Sequence, residues 1–194
     1  ISIFTAAGQA LSARTGNADE MFLFGLSLGI ASHGILGYAV RSADTLMEAL
    51  FLDERYLSTR TNALHFRIVH QQDKVSLHLD TPLPEQSDDA RFIRLMALGA
   101  MARISVDLTG RPVPEARIVL PYDTTSIRSI RSALLANIEW REEAGVCRID
   151  VPMSFMKALL STRDVTLKKI LVDQCEQALG SVAGLTETHV MVRN

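Results

Sequence analysis

Between Pro84 and Gly110 lies the segment that constrains the chain most. Phe92, Leu95, Met96, Leu98, Met101, Ile104, Val106 and Leu108 go most of the way round a helical wheel. A helix apolar on nearly every side has to be surrounded, so this one is predicted to be the spine of the core. Ser87 and the acidic pair Asp88-Asp89 suit its positive end, while Gly110 and Pro112 stop it after about Thr109. A chain of 194 residues buries about 70% of its unfolded surface, enough to enclose such a spine.

The flanking segments supply the enclosure. Thr45-Leu-Met-Glu48 has the form of a capping box and starts a helix running to about Leu57, with Leu46, Ala49, Leu50 and Leu57 inward. The period then changes from helical to alternating. Leu64, Phe66 and Ile68 oppose His65 and Arg67, and after Gln71-Gln72-Asp73 the residues Val75, Leu77 and Leu79 oppose Ser76, His78 and Asp80. This predicts a β-hairpin with one wet face, setting His65 across from Asp80 and Arg67 across from His78. Upstream, Phe4, Ala7, Ala10 and Leu11 suggest a short opening helix, Met21 to Leu28 is β-like, and Ser32 to Arg41 forms a short helix. Gly34 and Gly37 lie on neighbouring positions of that helix, where a backbone or a ligand can approach closely.

After the spine, Ala116 to Leu120 reads as a strand and Thr125 to Leu135 as a short amphipathic helix. Ile138 and Trp140 alternate with Glu139 and Arg141, and beyond Glu142-Glu143-Ala144-Gly145 the residues Cys147, Ile149 and Val151 alternate with Arg148 and Asp150, which predicts a second hairpin. Phe155 to Leu160 is helical, and Asp164 can cap a last helix with Leu167, Ile170, Leu171, Gln174, Cys175 and Ala178 on one face. No firm pattern follows from Gly180 to Asn194. Strands and helices mix without regular alternation, so the expected class is α+β: antiparallel hairpins and a mixed sheet against several helices.

Several functions are disfavoured. Twenty Lys and Arg stand against 22 Asp and Glu, for a net charge of -2, and no stretch concentrates positive charge as a nucleic-acid face requires. Nor does any segment resemble a helix-turn-helix, so DNA contact would have to come from elsewhere. Met21 to Tyr38 is interrupted by Gly25, Gly29, Gly34, Gly37, Ser27, Ser32 and His33, which argues against a membrane span. Ile1 to Ala13 lacks the basic leader of a secretion signal. Cys147 and Cys175 match no metal spacing and suit core positions in a cytoplasmic, reduced chain.

The motif with catalytic content is Gly25-Leu-Ser-Leu-Gly29, which fits the nucleophile elbow and would make Ser27 a hydrolase nucleophile. That elbow needs a parallel sheet before it, and only a predicted helix precedes Ser27. Among later histidines, only His189 leaves room for the usual Ser, Asp, His order, so the hydrolase stands as an alternative reading. No phosphate loop, dinucleotide fingerprint or metal-binding histidine pair occurs; His65, His70 and His78 suit a solvated face, with Arg67 repelling a cation. No catalytic residue, metal or cofactor is therefore assigned. His33 follows Ser32 at the start of a glycine-containing helix, where a polar ligand group could meet free amides or its ring could satisfy a carbonyl. Trp140 could line a pocket or fill the core.

The run from Phe24 to Leu50 contains Ser-His-Gly-Ile-Leu-Gly-Tyr-Ala (32–39) and Thr-Leu-Met-Glu-Ala-Leu (45–50), followed by Arg55-Tyr56. With the Arg91-Phe92 helix, Leu108-Thr-Gly-Arg-Pro-Val-Pro114, Val172-Asp-Gln-Cys-Glu176 and Val192-Arg193, it resembles the amino-terminal, so-called arabinose-binding domain of AraC-type transcription regulators. Asp44 stands where members often have Pro, and serves a helix start as well. The resemblance implies an effector-sensing and dimerisation domain over residues 1–180 and a linker over 181–194 toward a helix-turn-helix domain absent from this chain. It implies a homodimer, a small-molecule effector of unstated identity, and promoter DNA reached through the absent domain. His33, Tyr38 and Trp140 are the expected ligand contacts. A dimerisation module with no ligand is the further alternative.

Overall fold

The computed structural model describes residues 18–123, 125 and 138–191. Its elements are α1 (Ala18–Ser27), a 3-10 turn (Ile30–His33), α2 (Gly34–Arg41), α3 (Leu46–Tyr56), β1 (His65–His70), β2 (Lys74–Asp80), α4 (Asp88–Thr109), β3 (Arg117–Leu120), β4 (Glu139–Glu142), β5 (Arg148–Pro152), the single turn α5 (Met153–Met156) and α6 (Val165–Met191). The expected α+β class is what the structure shows, as a five-stranded mixed sheet in the order β1-β2-β5-β3-β4 packed against helices. The expected opening helix around Phe4 to Leu11 and, apart from Thr125, the helix from Thr125 to Leu135 fall outside the described residues.

The predicted spine is α4. Ser87 accepts from the Ala90 amide at 3.2 Å, and Gly110 closes the helix in the left-handed region, at φ 71°. Phe92, Leu95, Leu98 and Leu108 are all nearly inaccessible. Thr45 caps α3, its hydroxyl accepting from the Glu48 amide at 3.2 Å while the Glu48 carboxylate accepts from the Asp44 amide at 2.6 Å. Helix α3 buries Leu46, Ala49 and Leu50.

Strands β1 and β2 pair in the expected register, His65 with Asp80 and Arg67 with His78. The wet face is confined to β1. Strand β2 lies inside the sheet, so Ser76 is buried and donates to Asp150 at 2.7 Å, while Lys74 and Arg148 pair with the same carboxylate. On the opposite face Val75, Leu77, Ile149, Val151 and Ile118 line the core.

Three expectations are corrected. Met21 to Ser27, expected as β-like, is helical: a short apolar run cannot by itself separate a buried strand from a buried helix, and here the packing decides. α1 lies directly on α4, where a Cβ on Gly25 would meet the Met96 carbonyl oxygen at 2.1 Å and one on Gly99 the Phe22 carbonyl oxygen at 2.2 Å. The second hairpin does not form: β4 pairs in parallel with β3, and β3 in turn pairs antiparallel with β5, which separates β4 from β5. Alternation identifies strands without naming their partners. The helical segment after β5 is Met153–Met156 rather than Phe155 to Leu160.

The last helix begins as expected, the Asp164 carboxylate accepting from the Leu167 amide at 2.9 Å, but it continues through Gly180 to Met191. Lys168 donates to Asp44 at 3.0 Å and to Glu48 at 2.8 Å; Tyr56 donates to Glu176. These bonds fasten α6 across the start and end of α3.

Candidate functional site

Two cavities flank α3 inside the fold. The first, about 110 Å³, lies between α3, α4 and the sheet, walled by Leu46, Leu50, Leu98, Leu108, Ile118 and Ile149 among others. Its polar lining side chains are Asp53 and Ser105, and the Ser105 hydroxyl is engaged with the Ala102 carbonyl at 2.9 Å. The second, about 100 Å³, lies where the end of α3 and the segment after it meet α4, with Phe66, Phe92 and Met96 among its walls and His33, Arg60, Thr61 and Asp53 as its polar lining. Asp53, Met101 and Ile104 line both.

Asp53 is the chemical centre of this arrangement. Leu46, Ala49, Leu50, Asp53 and Leu57 recur at helical spacing, so the helix that buries its apolar stripe carries this carboxyl inward with it. The carboxyl makes no side-chain hydrogen bond or ion pair with the described residues. Burial pushes its pKa up from 3.8 to about 7. The residue is half-buried and lines both cavities.

His33 also faces the second cavity. Its Nε2 is buried without a hydrogen-bond partner, and burial, then the Arg60 guanidinium, hold the imidazole below its ordinary value. Arg60 donates to the Ser32 carbonyl at 3.1 Å, and the Thr61 hydroxyl accepts from the Ala63 amide at 3.1 Å. The Asp53 carboxyl and the His33 Nε2 are therefore the lining groups shown with no hydrogen-bond partner among the described residues.

A second polar cluster sits near the start of α4. Arg94 is 8% exposed, and its Nε and Nη1 have no acceptor; the Arg91 Nε and the Tyr122 hydroxyl are likewise unmet. Arg91 lies over the Tyr122 ring at 5.1 Å. Burial, then Cys147, raise the Tyr122 hydroxyl, and burial pushes the Cys147 thiol up to about 12, leaving it protonated.

The structure separates the three expected ligand contacts. Tyr38 is 47% exposed on α2 and lines neither cavity. Trp140 is half-buried on β4, its ring edge-on to Phe22 at 6.2 Å, also outside both cavities. Ser27 ends a helix rather than a strand, and its exposed hydroxyl donates to the Phe24 carbonyl at 2.6 Å, which is not the elbow arrangement. The side chain of His189 lies outside the described residues. Among the described residues no three His, Cys, Asp or Glu side chains gather as a metal site, and no single helix is long and apolar enough to cross a membrane. Asp53, Arg60 and Arg94 were not singled out by the sequence analysis.

The family model described as the arabinose-binding domain of AraC transcription regulators, N-terminal, matches residues 2–150. Among solved structures, the transcriptional regulator CdpR from Pseudomonas aeruginosa is similar in fold, with a TM-score of 0.63 at 18% identity over 83% of this chain and 53% of that one. The chain thus spans about half the length of that regulator. Comparison with curated proteins gives no match.

Proposed function

The chain belongs to the family of the N-terminal arabinose-binding domain of AraC transcription regulators, and on that premise we propose that it senses a small molecule held in its core and reports occupancy through α6. The observation that carries this reading is the pair of cavities meeting at an unpartnered carboxyl, since a monomeric core gains nothing from space and an unmatched charge at one point. The sugar in the family's name does not suit such walls, which offer few partners for ring hydroxyls. Of the expected contacts, the proposal keeps His33, which faces the second cavity.

Helix α3 links the site to the output. It presents Asp53 to the cavities, while its Glu48 and Tyr56 hold Lys168 and Glu176 of α6. An effector biases the regulator only by favouring one arrangement of these contacts over another. Residues 181–194 then serve as the connection toward a DNA-binding domain that reads the promoter. Thermal-shift screening of the purified chain against small polar and amphipathic compounds tests this: a ligand at a hundred times its Kd adds about 2.7 kcal/mol, and His33→Ala is expected to diminish that gain. A screen that never shifts the melting point favours the ligand-free dimerisation module.

Self-association is assigned to α6. Val165, Leu167 and Ile170 stand 67%, 43% and 51% exposed, and Leu159 nearby is 67% exposed. A second copy covering Leu167 and Ile170 completes the burial that α2 and the turn after α3 give only to the helix's inner side, around Lys168 and Cys175. Sedimentation should therefore show a dimer for the wild type and a monomer for Ile170→Glu; identical behaviour of the two would remove α6 from the interface.

A further inference from the structure

We propose that the effector is a small primary amine whose ammonium group docks on Asp53 while one compact apolar group fills the adjoining cavity. This rests on the sensing reading above and adds the chemical class of the ligand. Three observations carry it. The carboxyl lines both cavities and has no partner among the described residues, so a ligand entering either one meets it. The first cavity offers almost entirely apolar walls beyond it. And the space is small: a cavity of about 150 Å³ holds benzene, so 110 Å³ suits a smaller group, of about four carbons.

The charges around the site favour a cation over other ligands. On α3, Glu48 is engaged by Lys168, Glu54 accepts from the Ile68 amide at 3.0 Å, and Arg55 pairs with Glu176. On α4 the Arg103–Asp107 pair closes on itself. In the second cavity Asp53 is joined by His33, which burial, then Arg60, hold below its ordinary value, and by Arg60, which stays cationic while donating to the Ser32 carbonyl; the ammonium is therefore placed on the first-cavity side of Asp53, where no other ionisable side chain lines the wall. An ammonium would supply Asp53 with charge-assisted hydrogen bonds and restore its ionised form. A carboxylate would be repelled there, and would find its donors instead at Arg91, Arg94 and Tyr122, which line neither cavity.

The test is calorimetric titration of the purified chain with butylamine and isobutylamine, against butanol and butyrate, at pH 6 and pH 8, in wild type and Asp53→Asn. The amines are expected to bind at pH 8, to bind about tenfold more weakly at pH 6 as Asp53 takes up a proton, and to lose binding in the variant. Tighter binding of the alcohol or of butyrate, amine binding indifferent to Asp53→Asn, or failure of all four compounds would each overturn the proposal. If a compound of another class found by thermal shift binds the same cavity, the sensing reading stands without the amine.

Discussion

Asp53→Asn is expected to raise the melting temperature of the unliganded protein at pH 8 by about 5–10 °C. The carboxyl titrates at about 7 in the fold against an ordinary 3.8. Between those values the unfolded chain has released its proton while the folded one retains it, so stability attached to this group is complete below 3.8 and declines as pH rises through about 7. A shift of that size corresponds to roughly 4 kcal/mol, and allowing for water in the cavities and for the amide's own unmet bonds leaves about 2–3 kcal/mol, or the stated change in a domain of this length. Melting curves from pH 4.5 to 8 should show the wild type falling behind the variant as pH rises and meeting it at the acid end. Parallel curves would mean that the carboxyl is solvated or paired.

Gly99→Val is expected to cost at least about 3 kcal/mol, or to prevent folding. A Cβ at Gly99 would stand 2.2 Å from the Phe22 carbonyl oxygen and 2.8 Å from the Leu26 amide nitrogen, both backbone atoms that cannot swing aside. The reciprocal position, Gly25, faces the Met96 carbonyl oxygen and the Ala100 amide, so any side chain at either glycine wedges α1 away from α4. Denaturant unfolding would give the loss directly. Gly180→Ala serves as the control of opposite sign, since nothing lies within 4 Å of its added Cβ and a helical glycine gives up about 0.5–1 kcal/mol to alanine. Equal effects from the two substitutions would show that the α1–α4 contact is not as close as described.

The same glycines mark how far the residues alone could be read. Periodicity and caps placed α4, α3 and the β1–β2 register, because a spine apolar all round and a strict two-residue alternation each admit few arrangements. Gly25 and Gly29 fitted a serine-elbow pattern because that pattern records spacing and not what the glycines touch; Gly25 in fact serves a helix contact. Strand order escaped because β4 and β5 are separated by β3, a long-range pairing that local alternation does not encode. At the site, His33 was legible as a polar residue beginning a small helix. Asp53 could have been found: an acidic residue four places after Ala49 and four before Leu57 interrupts an otherwise apolar stripe, and such an interruption is a signal in its own right. Arg94 was harder to find, since a long spine helix with charged residues at several positions gives no sign of which one will be enclosed.

Helix α6 has 27 residues, which at 1.5 Å each makes a rod of about 40 Å. Among the described residues, α6 is held at Lys168, Leu171, Val172, Cys175, Glu176 and Leu179. From Gly180 to Met191 its backbone reaches about 18 Å further, so an angular change of about 5° at Leu179 carries the tip through about 1.5 Å. In the dimer proposed above, two such arms would double that motion and alter the spacing of whatever they bear.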